Sequence, residues 1–369
     1  MQKDFHYAVI YILANWAGFS PAEAFTVAYS SQYVDDATNT GRIRFTNGAS
    51  YTRTSSAHAT LDLLNNANDI EDHNTWLPFH FLPGNDGYAK GKAPVMEFET
   101  FLTCTPNSFV ACDMVKEAIR SSGRPNGMHR FGIAMHTYAD TWAHRGFIGY
   151  VSARNKIRNI RRLTPDGAWV EVDRVENELI NQVLPVGHGS AICNPDMPFL
   201  REWRFDCFDQ RGEQTYENTS YFLEAADTIF RAMGLFQAYR KAPVPLEDEL
   251  MTVLSGYSGL STTQSGLLQQ FFEEITSDDG NDRTKEWTAR AAAGAISGIN
   301  SIPDYQAKGE GSWKYLALGS TLEVDLPGTL FEYTPAFLSS DWKRFHDALQ
   351  EQRQFILLTL LPEYEICVS

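Results

Sequence analysis

Met135-His136-Thr137-Tyr138-Ala139-Asp140-Thr141-Trp142-Ala143-His144 is the stretch that decides how this chain is read. Its polar residues His136, Asp140 and His144 are spaced i, i+4, i+8. On an α-helix a step of four residues turns about 40° around the axis, so the three side chains lie on one stripe. The flanks Phe131-Gly132-Ile133-Ala134 and Trp142 to Ile148 are apolar, which turns that stripe inward. Three titratable groups buried together are costly unless they are paired or hold a cation. Two imidazoles around a carboxylate can share one divalent metal or bridge two. The same residues bonded only to each other would be the plain structural alternative.

The rest of the chain is compatible with a large packed fold around that stripe. Of 369 residues, 43% are hydrophobic and 13% aromatic, which suits a sizeable core and argues against disorder. The net charge of −15 disfavours a basic surface for duplex nucleic acid or anionic membrane. A phosphate ester stays open as a substrate, because bound cations would invert the local field. The five cysteines are spread without a Cys-x-x-Cys motif and read as free thiols, with Cys193–Cys207 as the one pair that could bridge. No apolar run reaches the roughly 18 residues of a membrane span. Tyr7 to Phe19 resembles a signal-peptide core, but a clean cleavage site is missing, so it reads as a mature amphipathic helix. The expected location is cytoplasmic, or outside the cell by a route without a cleaved signal.

Helical periodicity predicts helices over 3–16, 108–121, 127–147, 173–184 and 216–241, and near 245–256, 262–276, 282–297 and 339–361. Ser20-Pro21-Ala22-Glu23 predicts a capped helix start, running to about Val34. Asp35 and Asp36 then close that helix, where acids oppose the helix dipole and need another reason to be present. Arg42–Phe45 and Tyr51–Thr54 flank Asn47-Gly48 and predict a hairpin. Trp76 to Pro83, bracketed by prolines, reads as a loop or short extended piece. Gly/Ser/Pro-rich joints are expected at 298–313 and 326–335. The fold class is mostly α, a multi-helix core with minor β hairpins. It is divided into a helical metal-binding region, 1–242, and a helical extension packed on it, 243–369.

Nine histidines are present. His136 and His144 belong to the central stripe, and His188 joins them because Gly187 and Gly189 allow close approach. His6 lies beside Asp4, and His80 lies in the aromatic run. His58, His129 and His346 read as structural. Asp35 and Asp36 offer one ligand and one general base. Arg145 can hold a phosphate oxygen or make a surface salt bridge.

In this order the residues resemble the zinc-dependent phospholipase C and fungal single-strand nuclease superfamily. The resemblance rests on the early His6, the acids ending Ala28 to Asp36, His80 (or His73) after aromatics, the His136-x-x-x-Asp140 pair, and the later His144 and His188. It implies an all-α fold with a site for two or three zinc ions. His6, Asp35 or Asp36, His80, His136, Asp140, His144 and His188 would be ligands, Asp140 would bridge two ions, and Asp196 would match the last carboxylate. Three features depart from the pattern. Residue 1 is Met where the superfamily has a metal-ligating Trp, the Asp140–His144 gap is short, and Ile192 stands where an acid is usual. Asp4-Phe5-His6-Tyr7, Pro78–Pro83 and Asp140–His144 also resemble a bacterial family without an assigned activity, over residues 3–240.

The expected function is a hydrolase, a phospholipase C-like phosphoesterase acting on a lipid head group or nucleotide. A nuclease and an HD-type phosphohydrolase are the enzyme alternatives, although His346-Asp347 is the sole His-Asp pair. A metal-stabilised interaction or effector module is the non-enzyme alternative. Residues 243–369 carry no expected site residue, leaving a protein-partner or delivery role for them.

Overall fold

The computed structural model describes residues 1–58, 69–164, 166–172, 186–246, 249–322 and 324–368, with only the backbone of 69–72. The fold is mostly helical. A π-helical segment, Asp4–Val9, continues directly into α1, Ile10–Trp16. Gly18, at φ +85°, turns the chain into α2, Pro21–Asp36. The expected capping box forms there: Glu23 N–H donates to Ser20 Oγ, and Ser20 N–H donates to Glu23 Oε2. Strands β1 (Gly41–Arg44) and β2 (Ser50–Arg53) make the antiparallel hairpin, with Ile43 opposite Tyr51. Then follow α3 (Asp69–Phe79), α4 (Phe98–Leu102), α5 (Phe109–Arg120) and α6 (Gly127–Ala143).

Strands β3 (Ile157–Leu163), β4 (Trp169–Glu171), β5 (Trp203–Cys207) and β6 (Glu213–Tyr216) form an antiparallel sheet in the order β4-β3-β5-β6. The remaining helices are α7 (Asn218–Lys241), α8 (Leu250–Ser255), α9 (Thr262–Glu274), α10 (Gly280–Ala292), α11 (Trp313–Leu318), α12 (Asp341–Phe355) and α13 (Leu361–Glu363). A π-helical segment, Ile356–Leu360, joins the last two. No helix among the described residues is long and apolar enough to cross a membrane.

Helix α6 is the axis of the molecule. All of its residues except Met128 are buried. It packs against α2, α5, α7 and α12. It packs tightly against α2 at Gly132, where a Cβ would come 2.5 Å from the Val27 carbonyl oxygen and 2.7 Å from Ser30 Cβ. That glycine sets the approach of the two helices that bear Asp35 and the His136–Asp140 pair.

The apolar cores do not divide at residue 242. The largest joins residues of α1, α2, α5, α6 and α7 to Leu254, Phe272, Trp287, Ile299 and Leu361. A second packs Tyr29, Tyr33 and Ile43 against Trp313, Trp342 and Phe345. The third lies under the four-stranded sheet and includes Phe81, Phe147, Trp203 and Phe205.

Three sequence expectations change. Trp76 to Phe79 is the closing turn of α3 rather than a loop. Pro78 is tolerated because its fixed φ suits a helix and only one late hydrogen bond is lost. Helix α6 stops at Ala143, and His144 caps it at φ −90°, ψ 12°. Gly146, at φ +82°, then turns the chain. The four-stranded sheet was not foreseen, because β3 is arginine-rich and a register shift between Arg158 and Arg161 breaks its alternation. The expected joint near 298–313 forms, and α11 follows it. The helix expected over 173–184 lies outside the described residues.

Candidate metal centre

The groups meet around Asp140. The residue is 1% exposed, and its two carboxylate oxygens face different neighbours. Oδ1 lies 3.1 Å from His6 Nε2 and 2.5 Å from the Met1 nitrogen. Oδ2 lies 3.3 Å from His136 Nε2, 3.4 Å from His80 Nδ1 and 3.6 Å from His144 Nδ1. Asp35 Oδ1 closes the far side, 3.7 Å from His136 Nε2 and 3.8 Å from His80 Nδ1. On the other side Asp196 lies 3.5 Å from both His144 Nε2 and His188 Nε2, through Oδ1 and Oδ2 respectively. Three sets therefore have ligand atoms mutually within 4.8 Å: His6–His136–Asp140, Asp35–His80–His136 and His144–His188–Asp196.

Several elements converge here. The π-helical segment before α1 carries His6, and α2 ends on Asp35. Helix α3 delivers His80 one residue past its last turn, and α6 carries His136 and Asp140 and is capped by His144. His188 and Asp196 come from the loop before β5. Two short 3₁₀ turns, Gly189–Ala191 and Asn194–Asp196, with Ile192 at φ +56° between them, fold that loop back. The fold-back brings Asp196 to His188 from eight residues further along the chain.

The imidazoles are oriented from behind. His80 Nε2 faces the Ser56 carbonyl at 2.9 Å, His144 Nδ1 the His80 carbonyl at 2.8 Å, and His188 Nδ1 the Ile192 carbonyl at 3.0 Å. A carbonyl only accepts, so these nitrogens carry a proton, and the opposite nitrogen of each ring is turned towards the carboxylates. Phe81 stacks on His144 at 4.4 Å, and His6 stacks on His136 at 3.8 Å.

The electrostatics suit ligation. Burial pushes the imidazoles of His6, His136 and His144 down to about 4, so they are neutral at pH 7. Burial alone would raise Asp140, but His144, the Met1 amine, His136 and His6 hold it well below the usual carboxylate range. Asp196 is likewise held low against burial by the Met1 amine and His188. Asp35 goes the other way, pushed up to about 6 by burial. Buried polar atoms at the centre also make no hydrogen bond: Asp140 Oδ2, Asp196 Oδ1, both His6 ring nitrogens and His136 Nδ1. Orphans of this kind are expensive without a partner. Imidazole and carboxylate donors without thiolate match zinc and similar divalent ions.

A model of a family of unknown function, DUF6765, matches residues 1–360. The chain belongs to that family. The match runs well past residue 240 and takes in most of the segment after 242. No curated protein and no solved structure matches the chain.

The remaining expected residues separate. Asp35 and Asp36 diverge: Asp36 Oδ2 accepts from the Tyr305 hydroxyl at 2.7 Å and from Gln32 Nε2 at 3.1 Å. Arg145 does not line the site cavity; its guanidinium lies 4.1 Å over the Tyr221 ring. His73 faces the Val368 carbonyl, His129 pairs with Asp341, and His346 faces the Thr54 carbonyl. His58, read as structural, does border the cavity beside Trp76. Asp4 finds its cation in Arg283, 2.7 Å away, rather than in the cluster. Cys104, Cys112, Cys207 and Cys367 are free thiols.

Sequence reasoning missed two contributors. The Met1 nitrogen sits in the cluster although residue 1 is not Trp. Residues 278–281 and 305–308, from the segment assigned no site role, line the cavity over it. That cavity has a volume of about 1460 Å³, with Asp35, Asp140, His144 and His188 in its wall and Lys3 and Lys308 among its cations.

Proposed function

We propose that the protein is a metal-dependent phosphoesterase, with zinc held at this centre. The observation that carries the reading is Asp140: a buried carboxylate with His6 and the Met1 nitrogen against one oxygen and His136, His80 and His144 against the other, so that each oxygen has its own donors, as a ligand bridging two cations requires. His6, His80 and His136 would hold ions against Asp140, Asp35 would complete the His80–His136 side, and His144, His188 and Asp196 would form a neighbouring position. Divalent cations held there would supply Lewis acidity towards phosphoryl oxygens and a nucleophile at neutral pH.

The chain's own residues do the remainder. Asp35, 33% exposed at the junction of cluster and cavity, turns Oδ1 to the two imidazoles and leaves Oδ2, which accepts from Gln32 at 3.3 Å, as the oxygen placed to take a proton. Gln32 Nε2 bridges both carboxylates, and Asp36 alone is held further by the Tyr305 hydroxyl at 2.7 Å, so the base role falls to Asp35. Lys3 and Lys308, rather than Arg145, are the cations in position to meet a phosphate oxygen. The wide cavity and the acidic chain favour a phosphodiester of the phospholipase C type over a polynucleotide.

Elemental analysis of protein purified without chelator should find about two or three zinc ions per chain, together with hydrolysis in a screen of phosphate esters. Asp140→Asn should lose most of the metal and all of the hydrolysis. Zinc far below one ion per chain, from zinc-supplemented growth, rejects the reading.

A further inference from the structure

Arg283 on α10 is 0% exposed, and every nitrogen of its guanidinium is engaged. Nε and Nη2 grip the Asp4 carboxylate at 2.7 and 2.9 Å. Nη2 also donates to Gln2 Oε1 at 2.9 Å and to the Asp196 carbonyl at 3.3 Å. Nη1 donates to the carbonyls of Ser277 and Asp278, at 2.7 and 3.2 Å. One side chain thus ties together three pieces far apart in sequence. They are the stretch that leads to His6, the loop that carries Asp196, and residues 277–278 beside the cavity wall. The fit around Gln2 is tight: a Cβ on Gly280 would come 2.7 Å from Gln2 Oε1.

The geometry points to Arg283 as a positioning residue for the metal centre. It clamps the amino-terminal segment and the Asp196 loop so that His6 and Asp196 register with Asp140. A planar guanidinium suits this task, because its fixed fork holds a carboxylate on one edge and carbonyls on the others. Asp35, His80 and His136 receive no contact from Arg283. Its loss should therefore empty the His6 and Asp196 sides first and leave the Asp35 side loaded. The segment after residue 242 would then be part of the centre's construction. This inference rests on the metal reading above.

The test compares zinc per chain, the visible absorption of the cobalt(II)-loaded protein, and hydrolysis in wild type, Arg283→Met, Arg283→Lys and Lys314→Met. Lys314 is a buried cation of the same segment, bonded to Asp325 and the Leu322 carbonyl, and serves as the control. Arg283→Met should keep its helical circular dichroism, lose at least half of the zinc and change the cobalt spectrum. Arg283→Lys, with its charge but not its fork, should fall between. Lys314→Met should lower the melting temperature without moving zinc content or spectrum. Arg283→Met with wild-type zinc and spectrum overturns the clamp alone. If Arg283→Met does not fold, full zinc in Arg283→Lys overturns it and reduced zinc supports it. Wild-type protein without zinc rejects the metal reading, and the clamp with it.

Discussion

Burial lowers the imidazoles of His6, His136, His144 and His346 alike, but their surroundings differ. His346 is 2% exposed, faces the Thr54 carbonyl through Nδ1, and is ringed by Tyr33, Trp342 and Phe345. Burial, with Arg53 and Lys314 adding repulsion, lowers its imidazole to about 3, although the bond to Thr54 works the other way. In the unfolded chain the ring titrates near the ordinary value of about 6.5. Between those two values the unfolded state binds the extra proton, so stability falls as the pH drops from about 6.5 towards 3. The slope from this one group approaches 1.4 kcal/mol per pH unit, as an order of magnitude. His346→Gln should flatten the acid limb of the stability curve by about that slope and leave zinc content unchanged. Urea denaturation at a series of pH values measures it, and equal slopes in the two proteins would sink the assignment.

Helices α2 and α6 set the centre's spacing, and Gly132 sets theirs. Asp35 ends one helix, while His136 and Asp140 lie one and two turns beyond Gly132 on the other. A methyl at 132 collides with the Val27 backbone oxygen, which cannot rotate aside as a side-chain end could. Gly132→Ala raises intrinsic helix propensity, yet overpacking should make the protein about 1–3 kcal/mol less stable. It should also lower zinc affinity by displacing Asp35 from His136. Unfolding curves and zinc titration report the two effects. A variant as stable as wild type would show that the helices can separate at no cost.

Across the molecule, residues 243–369 complete the cores that begin in 1–242. Trp313 stacks on Tyr29 at 3.8 Å, Phe331 bridges to Phe45, and Tyr305 bonds Asp36. A chain cut after residue 242 would expose one side of α1, α2 and α6. It should be recovered as an aggregating or protease-sensitive species without stable zinc. Limited proteolysis and circular dichroism of the fragment decide this. A compact fragment with zinc and a cooperative melt would establish that the first 242 residues stand alone.

The amino-acid order was sufficient wherever structure depends on near neighbours. The capping box at Ser20 and Glu23, the Asn47-Gly48 hairpin, the helix carrying His136 and Asp140, and the inward turn of that pair all follow from contacts a few residues apart. So does the mostly helical class, because periodic apolar stripes need no knowledge of what covers them. Packing at long range decided the rest. It placed His6, His80, His188 and Asp196 around Asp140, separated Asp36 from Asp35, laid Arg145 over Tyr221, and gave Asp4 to Arg283. These outcomes depend on which surfaces meet across tens to hundreds of residues of chain, and residue spacing carries no record of that. The sheet β3–β6 escaped for a related reason: its strands are short and charged, and they are held by partners rather than by propensity. The cluster around Asp140 therefore announces itself in sequence through the one helix that carries His136 and Asp140, and only the tertiary fold brings the other residues to it.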